Sequence, residues 1–476
     1  MNILDVLESW SMHSGPLYRR LATAIQSAIA SGEIPPGTAL PAERHLAKSL
    51  ALSRSTVVGA YDLLRAEGLV ESRQGSGTWV AGAARTVAAG NTQQESLRGA
   101  ALSGTDSLVD LATASLPADT SVLEAFDAIR GDLLIRLLSS AGYSALGLPE
   151  LRRAVADTFT QDGIPTTADQ VLITTGDQQA LSLICGHVLE LGDTAVVEDP
   201  TSPGILDLLR EAPVAVRSCR SLSTAGAAPL VDTIAKANPG LVYVLSSLGP
   251  EGRVADDREL RTLAAALRDY AGVIVEDASS RYLVAGERPP LLAQLAPHAS
   301  VLTVGSMSKV FWGGLRVGWI RGDENSILRL SRGKARADLG TPLISQLLAA
   351  WLLRRLDEVS ANRISELSHR QQRAAQVVSG LLPEFRFEPP AGGATIWLRM
   401  PRGASRPFSE LARRHGIAVV PGSALSAGGA SDGYLRLALG SDDSAFRDGV
   451  QRLARAWTQY DNTAATRELT QAEPLV

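Results

Sequence analysis

The 476-residue sequence contains only two cysteines, Cys185 and Cys219, and neither has a spacing to other cysteines or histidines that fits a metal site. Two isolated cysteines are typical of core residues in a reducing cytoplasm and not of a disulfide-stabilised secreted protein. The sequence has no apolar run of about 18 residues free of charge, and its first residues lack the pattern of a signal peptide. We therefore expect a cytoplasmic protein with no metal site and no membrane segment.

Positive charge is not in excess either. The formal net charge is −4, so any nucleic-acid binding must come from a local site. A hydrophobic content of 45% and a charged content of 20% are typical of a soluble protein. The length allows two or three domains with a large buried core.

Lysine is scarce, since only four of the 46 lysine and arginine residues are lysines. One of them, Lys309, lies among serines and glycines in the segment 304–319, seven residues before Arg316. Arginine stays protonated, whereas a lysine amine can lose its proton and form an imine with an aldehyde. Lys309 is therefore a candidate covalent anchor, although an arbitrary loop lysine is more often a salt-bridge partner.

Residues 1–80 are predicted to form a winged helix-turn-helix domain. Apolar residues recur at helical spacing from Pro16, and Ser53 is a good N-cap for a later helix. A glycine-rich tip separates two short strand-like runs. The predicted elements are a helix from Pro16 to about residue 31, helices over 41–50 and 54–67, and strands over 69–73 and 78–80. In this arrangement the recognition helix begins with Arg54, Ser55 and Thr56, and residues at this end of the helix contact the edges of DNA bases.

Several motifs in this domain resemble the DNA-binding domain of the GntR family. They are Leu40-Pro41-Ala42-Glu43-Arg44, Ser53-Arg54-Ser55-Thr56-Val57, Ala60-Tyr61-Asp62-Leu63-Leu64, Glu67-Gly68 and Gln74-Gly75-Ser76-Gly77-Thr78. The resemblance implies that double-stranded operator DNA is contacted by Arg44, Arg54, Thr56, Arg73 and Gly75. The domain has seven basic and seven acidic residues, so one copy should bind weakly and a homodimer is expected.

Residues 81–107 are rich in small and polar residues and are predicted to be a flexible linker. Residues 108–457 alternate apolar strand-like runs with amphipathic helices, which predicts an α/β domain with a mainly parallel sheet covered on both faces. A smaller carboxy-terminal α/β subdomain is expected to follow a long helical region, and residues 458–476 are predicted to be a polar tail.

Candidate ligand residues follow the predicted strands of this sheet, where ligands bind in such folds. Gly176 and Gln178 open a helix after the run 171–175, Asp277 follows 272–276, and Lys309 follows 301–304. An amine, a carboxylate and a set of phosphate donors are what pyridoxal phosphate (PLP) requires of a protein.

The same residues resemble fold-type I aminotransferases, and the two-domain layout resembles the MocR subfamily of GntR regulators. The supporting motifs include Gly176-Asp177-Gln178-Gln179-Ala180-Leu181, Glu198-Asp199-Pro200, Ser306-Met307-Ser308-Lys309 and Gly314-Leu315-Arg316-Val317-Gly318. The resemblance implies that Lys309 holds PLP as an imine, Asp277 pairs with its ring nitrogen and Arg436 receives the carboxylate of a small-molecule effector. It implies that the phosphate is bound by Arg316, Ser306 and Ser308.

Four positions depart from the family pattern. Ser202 stands in place of an aromatic residue that stacks on the cofactor ring, Gly249 in place of an asparagine, and Ser279 in place of a tyrosine. Asp177 stands in the phosphate loop, where a carboxylate can cap the helix or repel a phosphate. Each lost stack or hydrogen bond weakens binding by about 1 kcal/mol. Two alternatives follow, a weakened PLP site or a site for another ligand.

The joint presence of both motif sets predicts a transcription regulator whose aminotransferase-like domain senses PLP, an amino compound, or both, without turnover. A working aminotransferase with an accessory DNA-binding domain is the second alternative. A regulator with an unrelated ligand is the third.

Overall fold

The computed structural model describes residues 17–30, 34, 38–50, 52–66, 69–73, 77–80 and 108–471. The chain divides into two compact units, Met1–Thr92 and Gln93–Val476. The predicted linker, residues 81–107, lies outside the described residues. Within the described part of the chain, no helix is both long and apolar enough to cross a membrane.

The amino-terminal unit contains three helices and an antiparallel pair of strands, as the sequence predicts. The elements are α1 (Leu17–Ala30), α2 (Glu43–Ser49), α3 (Arg54–Ala66), β1 (Val70–Arg73) and β2 (Gly77–Val80). Its core is formed by apolar side chains at helical spacing together with one from each strand, namely Leu21, Ile25, Leu46, Val57, Leu64, Val70 and Val80. The helical periodicity of the sequence therefore corresponds to a real buried face.

Two side-chain hydrogen bonds hold α3, one at its start and one near its middle. The hydroxyl of Ser53 accepts a hydrogen bond from the amide of Thr56 at 3.1 Å, so Ser53 is the predicted N-cap. The hydroxyl of the buried Tyr61 donates to the carbonyl of Pro41 at 2.8 Å, which ties α3 to the residues before α2. Burial raises the pKa of Tyr61, so the hydroxyl remains a donor at all physiological pH values.

The larger unit is built on a seven-stranded sheet with the strand order β4-β10-β9-β8-β7-β5-β6. Its strands are β4 (Val171–Thr174), β5 (Thr194–Asp199), β6 (Ala215–Arg220), β7 (Leu241–Val244), β8 (Val273–Asp277), β9 (Ser300–Ser306) and β10 (Gly318–Arg321). Strands β5 to β9 pair in parallel, whereas β10 is antiparallel to both β9 and β4. Because β10 reverses direction between them, β4 and β9 run the same way and end at the same edge. The predicted mainly parallel sheet is confirmed.

Helices cover both faces of this sheet and bury apolar clusters against it. They are α4 (Ser121–Ala128), α5 (Asp132–Leu138), α6 (Pro149–Gln161), α7 (Asp177–Val188), α8 (Pro203–Glu211), α9 (Leu222–Ala225), α10 (Ala228–Ala237), α11 (Asp257–Ala266), α12 (Leu292–Leu295), α13 (Glu324–Asp338) and α14 (Leu343–Leu353). Strand residues such as Leu172, Ile173 and Val196 are fully buried, which explains why these runs are apolar throughout.

A second, smaller sheet follows the long helix α15 (Leu356–Leu381), as predicted. Its order is β11-β12-β15-β14, with β11 (Arg386–Phe387), β12 (Thr395–Arg399), β14 (Val420–Pro421) and β15 (Tyr434–Ala438). A separate parallel pair is formed by β3 (Val109–Asp110) and β13 (Ile417–Ala418). Helices α16 (Ser405–Arg414) and α17 (Asp443–Gln471) complete this part.

Three features differ from the sequence-based expectations. Strand β6 was not predicted, because it is a partly exposed edge strand whose Arg217, Ser218 and Arg220 interrupt the apolar run. Strand β10 was not predicted, because Gly318 and Arg321 leave only two large apolar side chains, Trp319 and Ile320, in its four residues. Helix α17 continues to Gln471, although residues 458–476 were predicted to be a tail; the segment contains good helix formers such as alanine, glutamate and arginine.

Glu198, at the end of β5, is a fully buried carboxylate that accepts hydrogen bonds from the amides of Leu222 and Leu245 at 2.6 and 2.5 Å. Burial raises its pKa to about 7 from 4.5, and the two backbone hydrogen bonds oppose that rise. Between these two pH values the folded protein binds more protons than the unfolded chain does. The contribution of Glu198 to stability therefore falls as the pH rises from 4.5 through about 7.

We expect Glu198→Gln to remove this pH dependence. The variant should lose stability at low pH, because its amide cannot accept both hydrogen bonds, but the deficit should shrink between about pH 5 and pH 8. Thermal melting of both proteins at the two pH values measures the effect. The exposed Glu190→Gln is the control, and a deficit that does not change with pH would contradict the prediction.

Candidate functional site

A cavity of about 570 Å³ lies at the carboxyl edge of the large sheet. The predicted residues Gln178, Asp277, Ser308, Lys309, Arg316 and Arg436 all line it. They converge because Gly318 of β10 is paired with both Thr174 of β4 and Ser306 of β9, so the segments that follow β4 and β9 meet at one place. Ligand cavities of this size are typical of cofactor sites.

Lys309 lies in a π-helical turn, Ser308–Trp312, directly after β9. Its Nζ donates one long hydrogen bond, 3.3 Å, to the carbonyl of Ala114. Among the described residues no carboxylate forms a salt bridge with it, whereas Lys236 and Lys334 each pair with an aspartate. Lys309 is therefore not an ordinary salt-bridged loop lysine in the described structure.

The residues predicted to bind a phosphate lie close to the start of α7. The Ser306 and Ser308 hydroxyls lie 2.7 Å apart, and the Nη2 atom of Arg316 donates to the carbonyl of Thr175 at 3.0 Å. Gly176 has a φ of 82°, a conformation that favours glycine, and a Cβ there would crowd Arg316 Nη2 at 3.0 Å. Arg316 itself has a left-handed backbone, with φ 52°. Hydroxyls, a guanidinium and a helix N-terminus together can bind a phosphate.

Asp277 is buried at the floor of the cavity, at the end of β8. One carboxylate oxygen accepts from the hydroxyl of Tyr243 at 2.6 Å and the other from the amide of Ser279 at 2.9 Å. Burial raises the pKa of Asp277, and the charge of Asp177 raises it further. Each oxygen has acceptor capacity left for a ring nitrogen.

Arg436 extends from β15 into the same cavity and is almost fully buried. Its Nη2 atom donates to the carbonyl of Ala112 at 2.8 Å, and its Nε has no hydrogen-bond partner among the described residues. Burial lowers the pKa of Arg436 to about 10, so the side chain remains charged at neutral pH. A buried cation with an unused donor is suited to a carboxylate.

All four departing residues line the same cavity, namely Asp177, Ser202, Gly249 and Ser279. Asp177 is half-buried at the first position of α7, and its Oδ1 accepts a hydrogen bond from the amide of Gln178 at 3.0 Å. One cavity is therefore lined both by residues that the resemblance assigns to a ligand and by the four residues that depart from the family pattern.

Sequence reasoning missed three residues that position this site. Tyr243 was predicted only as part of a strand, although its hydroxyl orients Asp277. Lys334 is fully buried and donates to Gln179 Oε1 at 2.8 Å, and that oxygen also accepts from the amide of Thr175. Arg363 donates to the carbonyl of Val310 at 3.0 Å and supports the turn of Lys309. Of the three, only Lys334 could have been singled out from the sequence, because lysine is scarce in this chain.

The DNA-contact candidates lie in the amino-terminal unit. Arg44, Arg54 and Ser55 are exposed, and the hydroxyl of Thr56 lies 2.7 Å from that of Ser53. Arg54 forms a surface salt bridge with Glu43 at 3.3 Å. The backbone of Arg73 ends β1. Gly75 lies outside the described residues. Within the described part of the chain, no group of histidine, cysteine, aspartate or glutamate side chains could hold a metal ion.

Comparison with known families assigns both units. Residues 138–453 match the family described as aminotransferase class I and II, and residues 17–80 match the bacterial regulatory proteins of the gntR family. The chain belongs to the aminotransferase class I and II family. With its GntR domain, it has the composition of the MocR subfamily.

Three relatives illustrate the two parts of this MocR-type chain. The uncharacterized HTH-type transcriptional regulator YisV of Bacillus subtilis is 29% identical over 86% of this chain and 89% of its own length. The probable rhizopine catabolism regulatory protein MocR of Rhizobium meliloti is 28% identical over 64% of this chain and 65% of its own length. The structure of LysN, an α-aminoadipate aminotransferase from Thermus thermophilus in complex with N-(5'-phosphopyridoxyl)-L-leucine, superposes with a TM-score of 0.68. LysN is 27% identical, and the match covers 78% of this chain and 96% of LysN.

The residues present fit PLP, the cofactor that the aminotransferase fold supports. The cavity provides an amine that no carboxylate of the described residues pairs with, a buried carboxylate with spare acceptor capacity, and a guanidinium beside a helix N-terminus. The carboxylate of Asp177, at the start of α7, opposes the phosphate by its charge.

Proposed function

We propose that this protein is a DNA-binding transcription regulator whose aminotransferase-like domain senses PLP, an amino compound, or both. The observation that carries the proposal is the presence, in one chain, of a GntR-type winged helix-turn-helix and a cavity that retains Lys309, Asp277 and Arg436. PLP supplies an aldehyde that captures amines and a ring that withdraws electrons.

The residues of this chain would have separate tasks in such a sensor. Lys309 would hold the cofactor covalently, Asp277 would bind its ring nitrogen, and Arg316 with Ser308 would bind its phosphate. Arg436 would select an effector that carries a carboxylate, because a buried guanidinium discriminates strongly in favour of an anion. A bound effector alters operator binding only if its affinity differs between two states of the regulator.

We also propose that the regulator acts as a homodimer in the cytoplasm. Large apolar side chains on α4, α5 and the segment that follows are exposed, with Leu123 at 71%, Leu138 at 69% and Tyr143 at 73%. Exposed apolar residues at this density are typical of an interface. The neutral amino-terminal unit has little charge of its own for binding DNA, so two copies on one operator would combine their modest affinities.

Footprinting on the DNA upstream of the protein's own gene tests the regulator. We expect protection of one site with two half-sites, and a change in apparent affinity on adding PLP or an amino acid. Binding that is equally tight on unrelated DNA at physiological salt would reject the proposal, because non-specific binding carries no half-site pattern.

A working aminotransferase is the second candidate, and the retained Lys309, Asp277 and Arg436 favour it. Against it stand Gly249 and Ser279, at positions where the family has an asparagine and a tyrosine. Transamination assays with a panel of amino donors separate the two. Turnover of any donor at rates typical of enzymes, about 1–1,000 s⁻¹, would favour the enzyme.

A further inference from the structure

We infer that Asp177 is a specificity-determining residue that lowers the preference of this site for phosphorylated over unphosphorylated pyridoxal. The inference rests on the proposed function, since it assumes that the cavity binds pyridoxal compounds. It assigns to Asp177 the role of keeping PLP occupancy responsive to the PLP concentration, as a sensor requires.

The position of Asp177 supports this role. It is the first residue of α7, whose first-turn amides lack carbonyl partners within the helix and form the natural anion site. Its own Oδ1 accepts from one of those amides, that of Gln178, at 3.0 Å. The carboxylate therefore already uses a donor that a phosphate would need.

The surroundings do not cancel the charge of Asp177. Among the described residues it forms no salt bridge, and Arg316, the cation of the same group, donates through Nη2 to the carbonyl of Thr175. Asp277 lines the same cavity, and the proximity of the two carboxylates contributes to the raised pKa of Asp277. A phosphate monoester carries a charge of about −1.5 to −2 at neutral pH, so it is repelled by a carboxylate at this place.

The test measures dissociation constants of the full-length apoprotein for PLP and for pyridoxal, by absorbance titration, in the wild type and in Asp177→Asn. Asparagine keeps an oxygen that can accept from the Gln178 amide but removes the charge. We expect about a tenfold gain in PLP affinity and less than a twofold change for pyridoxal. The unchanged pyridoxal affinity, with an unchanged melting temperature, shows that the variant is folded.

Asp207→Asn is the matched control, because Asp207 lines the same cavity from α8 and its charge is paired with Arg210 at 2.8 Å. We expect a change of less than twofold for both ligands. An Asp177→Asn variant with an unaltered ratio of PLP to pyridoxal affinity would overturn this inference alone. Absence of binding of either ligand by every protein would overturn the proposed function and this inference together.

Discussion

Lys309→Ala is expected to abolish the long-wavelength absorbance band of the PLP-loaded protein and to make the cofactor removable by gel filtration. In the described part of the chain, the wild-type amine lies in the cavity with one long hydrogen bond, 3.3 Å, to a backbone carbonyl. It is therefore available for a covalent link, which alanine cannot form. Binding through Arg316 and Asp277 would remain in the variant but would be reversible.

Lys236→Ala is the matched control, because Lys236 is an exposed lysine paired with Asp232 at 2.7 Å and lies on α10. Its band should equal that of the wild type. A band of full intensity in Lys309→Ala would show that another amine holds the cofactor. A wild type without any band, at saturating PLP, would support the alternative that the cavity serves an unrelated ligand.

Arg54→Ala is expected to weaken operator binding by about 30-fold or more for a dimer, since each base contact by arginine contributes about 1–3 kcal/mol. Arg54 opens α3, and its side chain is 56% exposed. Its salt bridge with Glu43 is a surface pair, which stabilises the free protein by less than about 1 kcal/mol. The guanidinium can therefore exchange Glu43 for a base edge at little cost.

Fluorescence anisotropy on the footprinted operator, at fixed salt, measures this loss. Arg65→Ala is the control, because Arg65 lies at the opposite end of α3 and pairs with Asp62. It should change affinity by less than threefold. Equal losses for the two variants would indicate a general charge effect and would contradict a recognition role for the start of α3.

The helices and strands of the amino-terminal unit could be predicted because they depend on residues close together in the sequence. Ser53 forms the expected N-cap, and the strands 70–73 and 77–80 flank the expected tip. Each of these features is determined by residues within a few positions of one another. The side-chain position of Arg73 and the place of Gly75 stay predictions, as do the domain boundaries and the individual ligand roles.

The site itself required the tertiary structure in several respects. Tyr243 and Asp277 are 34 residues apart, and their 2.6 Å hydrogen bond exists because β7 and β8 are neighbours. Lys334 and Gln179 are 155 residues apart and meet only when α13 packs beside α7. Neither contact leaves a periodic pattern in the sequence, so neither could be found from spacing.

The sequence by itself determined the classes of the two units and the chemistry of the candidate residues, since a lysine, a carboxylate and an arginine keep their chemical nature wherever the chain places them. Only the tertiary structure decided which of them share a cavity. The physical reason is the reversal at β10, which pairs Gly318 with both Thr174 and Ser306 and so brings Asp177 to the same edge of the sheet as Lys309.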